Sequence, residues 1–278
     1  IEFILPKYFS EEGPDDIQMY QKLMATFAGH KKLLKDESTL ELLNETALIP
    51  TKSGEWKTPG EVYFYDKQLS QFIGNYEELW IDEKKLSKKD TIQKFVKKLG
   101  VLKEPLPQHL IEHMTALTED TLPTKNIVEK SSLIFNKLCE LYLNHESSAS
   151  MLTGLSFYDF NNSNIMPLID DHENWHGPFS VNIFAPIKLK AFEYSSAKIL
   201  AYKPTSKFED CEALFEKMGV KTQIKFEHVV EHLQYCVNHK KSIHTDVFEA
   251  LNKFSFENHH PASEVTRALR NFSNLPII

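Results

Sequence analysis

Arginine is almost missing from this sequence: Arg267 and Arg270 are the only two, and the remaining positive charge is lysine. Arginine is the side chain that grips phosphates and guanine edges in bidentate fashion, so direct base readout is disfavoured. Positive charge is also in deficit, since 32 Lys and Arg face 39 Asp and Glu for a formal net charge of -7. That balance opposes a general phosphate-binding surface, and nucleic acid is not expected as a partner of this segment alone. Glycine is scarce too. The nine glycines form no GxG and no GxxxxGK[ST] arrangement, so no glycine-rich loop can cradle a nucleotide. There is no GxSxG elbow, and no cysteine stands with evident His and acid partners.

The three cysteines, Cys139, Cys211 and Cys236, are odd in number and form no CxxC pair. Scattered thiols fit a reducing cytoplasm better than a disulfide scaffold, so a cytoplasmic location is expected. No run approaches the ~18 consecutive apolar residues of a membrane span. The opening Ile1-Glu2-Phe3-Ile4-Leu5 lacks a basic n-region. It also lacks an initiator Met, which fits an excised fragment or a tag remnant.

What is present is the composition of a soluble globular protein: 278 residues, 41% hydrophobic and 26% charged, long enough for two ordinary domains. Nineteen Phe and ten Tyr supply large side chains for a core.

The strongest signal is internal similarity at an offset of 119 residues. Trp56 meets Trp175, Pro59 meets Pro178, and Val62 meets Val181. Gly100-Val101 meets Gly219-Val220, and His109, Glu112 and His113 meet His228, Glu231 and His232. Lys84, Ser87, Lys88 and Lys98 match as well, giving twelve identities over the 58 positions 56–113 with no gap. Chance at ordinary composition gives roughly three or four. Asn274-Leu275-Pro276-Ile277-Ile278 resembles the start of the second hairpin, Asn164 to Ile169, so a third copy is expected to begin where the sequence stops.

Within one unit, Ala47 to Thr51 is a short strand signal and Lys52-Ser53-Gly54-Glu55 a turn. Trp56 to Pro59 leads into the β-formers Glu61 to Tyr65, which predicts a hairpin-like element with Trp56 packed across it. The second copy runs from Pro167 through Trp175 to Phe179–Phe184. A short helix follows over Asp66 to Ile73, then a helix over Ser87 to Leu99, with Ile92, Phe95, Val96 and Leu99 on one stripe. Gly100 and Gly219 stand where helix ends need a left-handed residue. Pro107 suits the first turn of another helix carrying Leu110, Ile111, Met114 and Leu117. Thr124 to Asn144 reads as a long amphipathic helix with Ile127, Leu133, Ile134, Leu138, Leu141 and Tyr142. Its counterparts are Ile17 to Leu34 and Ser242 to Phe254.

The expected fold is therefore α+β and helix-dominated, a tandem repeat of helices with small β-hairpin elements in an elongated array. Residues 1–46 are the helical end of a preceding unit, 47–164 the Trp56 unit, and 165–278 the Trp175 unit. Trp56, Pro59, Gly100, Trp175, Pro178 and Gly219 are its structural landmarks.

The one pattern with catalytic precedent is His-x-x-Glu-His, at His109–His113 and again at His228–His232. On a helix, His at i and i+4 share a face and can hold Zn²⁺, with the Glu as general base. A zinc hydrolase would need a third ligand. Glu193 is spaced for that role from His113, but Phe192-Glu193-Tyr194 reads as a strand, and the second copy has too little chain left. Duplication of a structural helix accounts for both motifs more simply, with half-buried His113 and His232. Asp170-Asp171-His172-Glu173-Asn174 resembles a cation loop, yet the first copy has Thr51-Lys52-Ser53-Gly54-Glu55 there, and a solvated hairpin turn is the expectation. His259-His260 reads as loop. No catalytic residue, metal or cofactor is assigned.

The block Leu48-Ile49-Pro50-Thr51 … Gly54-Glu55-Trp56 … Pro59 … Glu61-Val62, followed by Leu99-Gly100-Val101 … Ile111-Glu112-His113-Met114, resembles the repeat region of very large proteins related to sacsin and the plant protein NO VEIN. The second copy departs from that pattern at Ile169 and Glu173. The resemblance implies a parent with Hsp90-like ATP-binding folds elsewhere, in a chaperone-like or defence-related machine. This segment would then be a non-enzymatic scaffold contacting protein partners or other domains of its own chain. A zinc hydrolase and a nucleic-acid-contacting segment are the alternatives.

Overall fold

The computed structural model describes residues 14, 16–30, 32, 35–119, 122–146, 167–177, 181, 183, 190–201, 208–257 and 270. Pro178, His259, His260, Arg267 and the Asn274–Ile278 segment lie outside the described residues. The fold is helix-dominated α+β with two small antiparallel strand pairs. In chain order the elements are α1 (Ile17–Gly29), α2 (Glu37–Glu45), β1 (Ile49–Pro50), β2 (Trp56–Lys57), α3 (Lys67–Ile73), α4 (Glu83–Leu86), α5 (Asp90–Lys98), α6 (Pro107–Ala116), α7 (Lys125–Glu146), β3 (Leu168–Ile169), β4 (Trp175–His176), α8 (Phe208–Lys217), α9 (Phe226–Asn238) and α10 (Thr245–Glu257). No described helix is long and apolar enough to cross a membrane. The chain divides into two compact units, Ile1–His109 and Leu110–Ile278.

In the first unit an aspartate starts each of the first four helices. Asp16, Asp36, Asp66 and Asp82 accept backbone N–H groups of the first turns of α1, α2, α3 and α4. Those donors have no partner inside the helix, so the caps fix where each helix begins. Tyr20, Met24 and Phe27 of α1 are buried with Ile92, Phe95 and Val96 of α5 in one cluster, which also takes Leu43, Leu48, Ile49, Val62 and Ile81. Each such side chain contributes ~1.5–3 kcal/mol on full burial. The Tyr20 hydroxyl donates to the Leu48 carbonyl at 3.1 Å, and its ring meets Trp56 edge-on at 4.9 Å. Trp56 thereby fastens the hairpin to α1.

The hairpin pairs Ile49 with Lys57 and Pro50 with Trp56. Trp56 is itself in the second strand, and the expected β run at Glu61–Tyr65 is not part of the hairpin. Glu61 closes a 3-10 turn begun by Pro59, because its carboxylate accepts the Thr58 N–H at 2.9 Å and hydroxyl at 2.6 Å. Tyr63 then forms isolated parallel bridges to Trp80 and Leu102. The strand propensity was real, but its partners are distant in sequence.

The second unit reproduces this backbone pattern 119 positions on. Leu168 pairs with His176 and Ile169 with Trp175, the register of β1 and β2. Thr51 N–H donates to Glu55 O at 2.9 Å, and Asp170 N–H to Asn174 O at 3.0 Å. Lys52 N–H donates to Trp80 O at 2.9 Å, and Asp171 N–H to Ile199 O at 2.7 Å. Asp82 N–H reaches Pro50 O and Ala201 N–H reaches Ile169 O, both at 2.8 Å. Leu102 N–H reaches Val62 O and Lys221 N–H reaches Val181 O, both at 3.1 Å. Gly100 and Gly219 hold φ of 88° and 82° at the ends of α5 and α8.

Helix α7 matches its expected span, with Ile127, Ile134, Leu138, Leu141 and Tyr142 buried. Leu133 is the exception at 46% exposed, because it sits about 100° around the helix from Ile134. Phe135 of α7 stacks on Phe215 of α8 at 5.5 Å. Helices α9 and α10 share a core of Val229, Leu233, Cys236, Val247 and Leu251. The strand expected at Phe192–Tyr194 is instead a turn, closed by the Ser195 N–H on the Phe192 carbonyl at 2.9 Å. Buried Phe192 belongs to that helical core, so its apolarity reports a plug between helices and not an alternating strand.

The two hairpin turns differ at one instructive position. Gly54 has φ 98°, and Glu173, its counterpart, is held at φ 60°. A side chain in this region costs roughly 1–2 kcal/mol. Glu173→Gly is expected to stabilise the second unit by about 1 kcal/mol, and Gly54→Glu to destabilise the first by a similar amount, read as opposite shifts in urea midpoints. Equal shifts of the same sign would show that the turns are not equivalent.

Candidate functional site

The histidine motifs occupy equivalent helices, α6 and α9. In the first unit the Tyr63 hydroxyl accepts the Leu106 N–H at 3.1 Å and lies 2.8 Å from His109 Nδ1. The rings meet edge-on at 5.6 Å. His113 is half-buried and Glu112 exposed.

His232 in α9 is 3% exposed. Its Nδ1 accepts the Tyr194 N–H at 3.3 Å, and its Nε2 lies 3.5 Å from Cys236 Sγ. The ring stacks on Tyr194 at 5.3 Å. Burial holds the imidazole below its ordinary pKa, so it is neutral, and the Tyr194 N–H fixes the tautomer as Nε2–H. Two activities are opposed at once. A histidine binding zinc through Nε2 donates its Nδ1–H outward, whereas here Nδ1 is met by a donor. A Cys–His dyad needs an unprotonated nitrogen facing the thiol, whereas here Nε2–H points at the sulfur. Burial, with the charge of Glu193 beside it, also pushes the Cys236 thiol up and away from thiolate.

Glu231 is committed as well. It accepts the Ser196 N–H at 2.8 Å and hydroxyl at 2.6 Å. The Ser196 hydroxyl and amide hold its carboxyl below the usual range, which makes it a weak base and a tether for the 194–197 turn. His228 has a buried Nδ1 without a partner among the described residues, and burial keeps it neutral. Its first-unit equivalent uses Tyr63, and the residue 119 positions beyond Tyr63 is Asn182, which carries no phenol.

The acidic hairpin turn differs from expectation. Asp170 is 3% exposed and is not a solvated loop carboxylate. Its Oδ1 accepts the N–H groups of His172 at 3.0 Å and Asn174 at 2.8 Å, and its Oδ2 accepts His176 Nε2–H at 2.7 Å. The Lys198 ammonium lies 3.4 Å from His176 Nδ1. Burial raises the Asp170 carboxyl, but the Asn174 amide, His176 and the His172 amide outweigh it, so the net shift is downward. Asp170, Asp171 and His172 are the one group of three candidate ligands within 4.8 Å of one another among the described residues. Both Asp170 oxygens are already engaged, by the His172 and Asn174 amides and by His176. Residues of the His-x-x-Glu-His helices contribute to no such group among the described residues.

Sequence reasoning missed the partners: Tyr63, Tyr194 and Ser196 reach their histidine or glutamate across 35 or more positions. Cys236 stood at i+4 from His232 and was readable. Compared with known proteins, the chain matches no family model, no curated protein and no solved structure.

Asp170→Ala is expected to cost the second unit about 1.5–3 kcal/mol at neutral pH. Because the folded carboxyl titrates lower than the unfolded one, that contribution is complete above about pH 4 and is lost as pH falls through the folded value. Urea melts of the variant and the parent should therefore converge in acid; a gap that persists there would mean packing and not charge. His228 and His232 act in a higher window. Their folded values lie below the ordinary one, so stability is full above about pH 6.5 and declines on acidification. Replacing both by Gln should flatten the stability profile between about pH 7 and 5.

Proposed function

We propose that this chain is a non-catalytic scaffold, a tandem repeat of helical units with small hairpins, stacked as an elongated array that contacts protein partners. The observation that carries the proposal is the commitment of His232 to structure, since its two ring nitrogens face Tyr194 N–H and Cys236. The matched hairpin registers and long-range backbone bonds support the repeat. Three buried cysteines, none joined in a disulfide, support a cytoplasmic setting. The resemblance to sacsin-related proteins supports placement in a larger, chaperone-like or defence-related ATPase.

Two measurements test this. Solution scattering should give a radius of gyration well above the roughly 19 Å of a compact chain of this length. Peptide, ester and nucleoside triphosphate hydrolysis should be undetectable with and without added zinc. Zinc-dependent turnover abolished by His232→Gln would replace the scaffold reading with a hydrolase.

A further inference from the structure

We propose that the lysine face of α4 and α5 in the first unit is a docking surface for an acidic protein segment. Residues 82–104, which span α4 and α5 with their flanks, hold eight lysines and four acids, Asp82, Glu83, Asp90 and Glu104, in a chain whose net charge is -7. Ile92, Phe95, Val96 and Leu99 of α5 and its end point into the core. At 3.6 residues per turn, Lys94, Lys97 and Lys98 fall on the opposite side, and all three are exposed. Exposed Lys88 and Lys89 lead directly into the helix. The framework beneath them is fixed: Gln93 donates to Glu83 at 3.2 Å, and Gln21 of α1 donates to the Lys84 and Lys85 carbonyls at 3.1 and 2.9 Å. Lys94 pairs with Asp90 at 2.6 Å, and Lys97 sits 5.1 Å above the Phe64 ring. Among the described residues, no carboxylate comes within ion-pair distance of Lys84, Lys88, Lys89, Lys98 or Lys103.

The fold does not require this charge. Helix α8 is the counterpart of α5 and ends on the same kind of glycine, yet it carries Glu209, Asp210, Glu212 and Glu216 where α5 carries Asp90, Thr91, Gln93 and Lys97. Residues 203–222 hold four lysines and four acids. A predominantly positive face costs self-repulsion, so its explanation lies in what it meets. Three anionic classes of partner differ in what else they need. A nucleic acid gains from arginine and from exposed rings that stack bases. Residues 84–103 contain no arginine, their one aromatic, Phe95, is buried, and the remainder of the chain is strongly acidic. A membrane surface gains from exposed apolar side chains that insert, and those of this segment face the core. Lysines spread along one short helix fit carboxylates on a short acidic stretch of polypeptide.

This deepens the scaffold reading and rests on it. The probe is a fluorescein-labelled peptide of twelve glutamates, titrated with the whole chain at low salt. Saturable binding is expected, weakened roughly tenfold by the combined Lys88→Glu, Lys89→Glu and Lys98→Glu changes. The milder Lys88→Gln, Lys89→Gln and Lys98→Gln set should weaken it in the same direction, with circular dichroism confirming the fold of both. Lys221→Glu with Lys240→Glu in the second unit should leave binding unchanged. No binding, equal binding by the triple variants, or tighter binding of a twelve-residue oligothymidylate or of phosphatidylserine vesicles overturns the proposal. In any of those cases the scattering and hydrolysis measurements still decide the scaffold reading separately, since neither involves the lysine face.

Discussion

Both units depend on a hairpin too small to stand alone. Two residues per strand give two paired positions, and an isolated hairpin of even ordinary length is marginal in water. What holds each one is a third segment and a helix. In the first unit, Lys52 N–H reaches Trp80 and Asp82 N–H reaches Pro50, so the hairpin rim is pinned from the segment at 80–82. Ile49 and Leu48 are then buried under α1, and Trp56 meets Tyr20 of that helix. The second unit uses Ile199 and Ala201 for the same pins. The hairpin is thus a clasp whose stability is borrowed from helices before and after it in sequence.

That dependence leaves individual side chains free to differ between the two hairpins. A clasp needs backbone donors at the right places, a bulky ring on the second strand, and apolar residues behind the first. Backbone bonds carry no side-chain identity, so the turn can be rebuilt. Thr51 donates its hydroxyl to the Glu55 carbonyl at 2.9 Å and lies 2.8 Å from the Ser53 hydroxyl. Asp170 reaches the same end by accepting amides and His176. A hydroxyl donor in one unit and a carboxylate acceptor in the other close turns of the same register.

The helices that were legible in the sequence had local signals, a stripe at helical spacing or a glycine after the last turn, whereas α2 and α4 were not expected and α1 ends at Gly29, short of Leu34. Gly100 and Gly219 are the clearest case, each at positive φ where the pattern required it. The hairpin landmark Trp56 was legible for a similar reason, since offset matching found it without knowledge of its partners. Tyr63 was not, because its bridges go to Trp80 and Leu102, and an apolar β-former says nothing about which distant segment it will pair with. Phe192 was misread for the same cause. Leu133 shows that a stripe read by eye can include a residue about one quarter-turn off the buried face.

The histidine motifs show how a spacing can be chemically suggestive and structurally spent. Spacing establishes only that two imidazoles share a helix face. Chemistry is decided by which nitrogen carries the proton, and that is set by groups far along the chain. At His232 the deciding group is a backbone amide of Tyr194, which no pattern of side chains could reveal. At His109 it is the phenol of Tyr63, which also accepts the Leu106 amide. The pairing of Glu231 with Ser196 completes the account, because the residue that would serve as base instead holds the turn that supplies the Tyr194 amide.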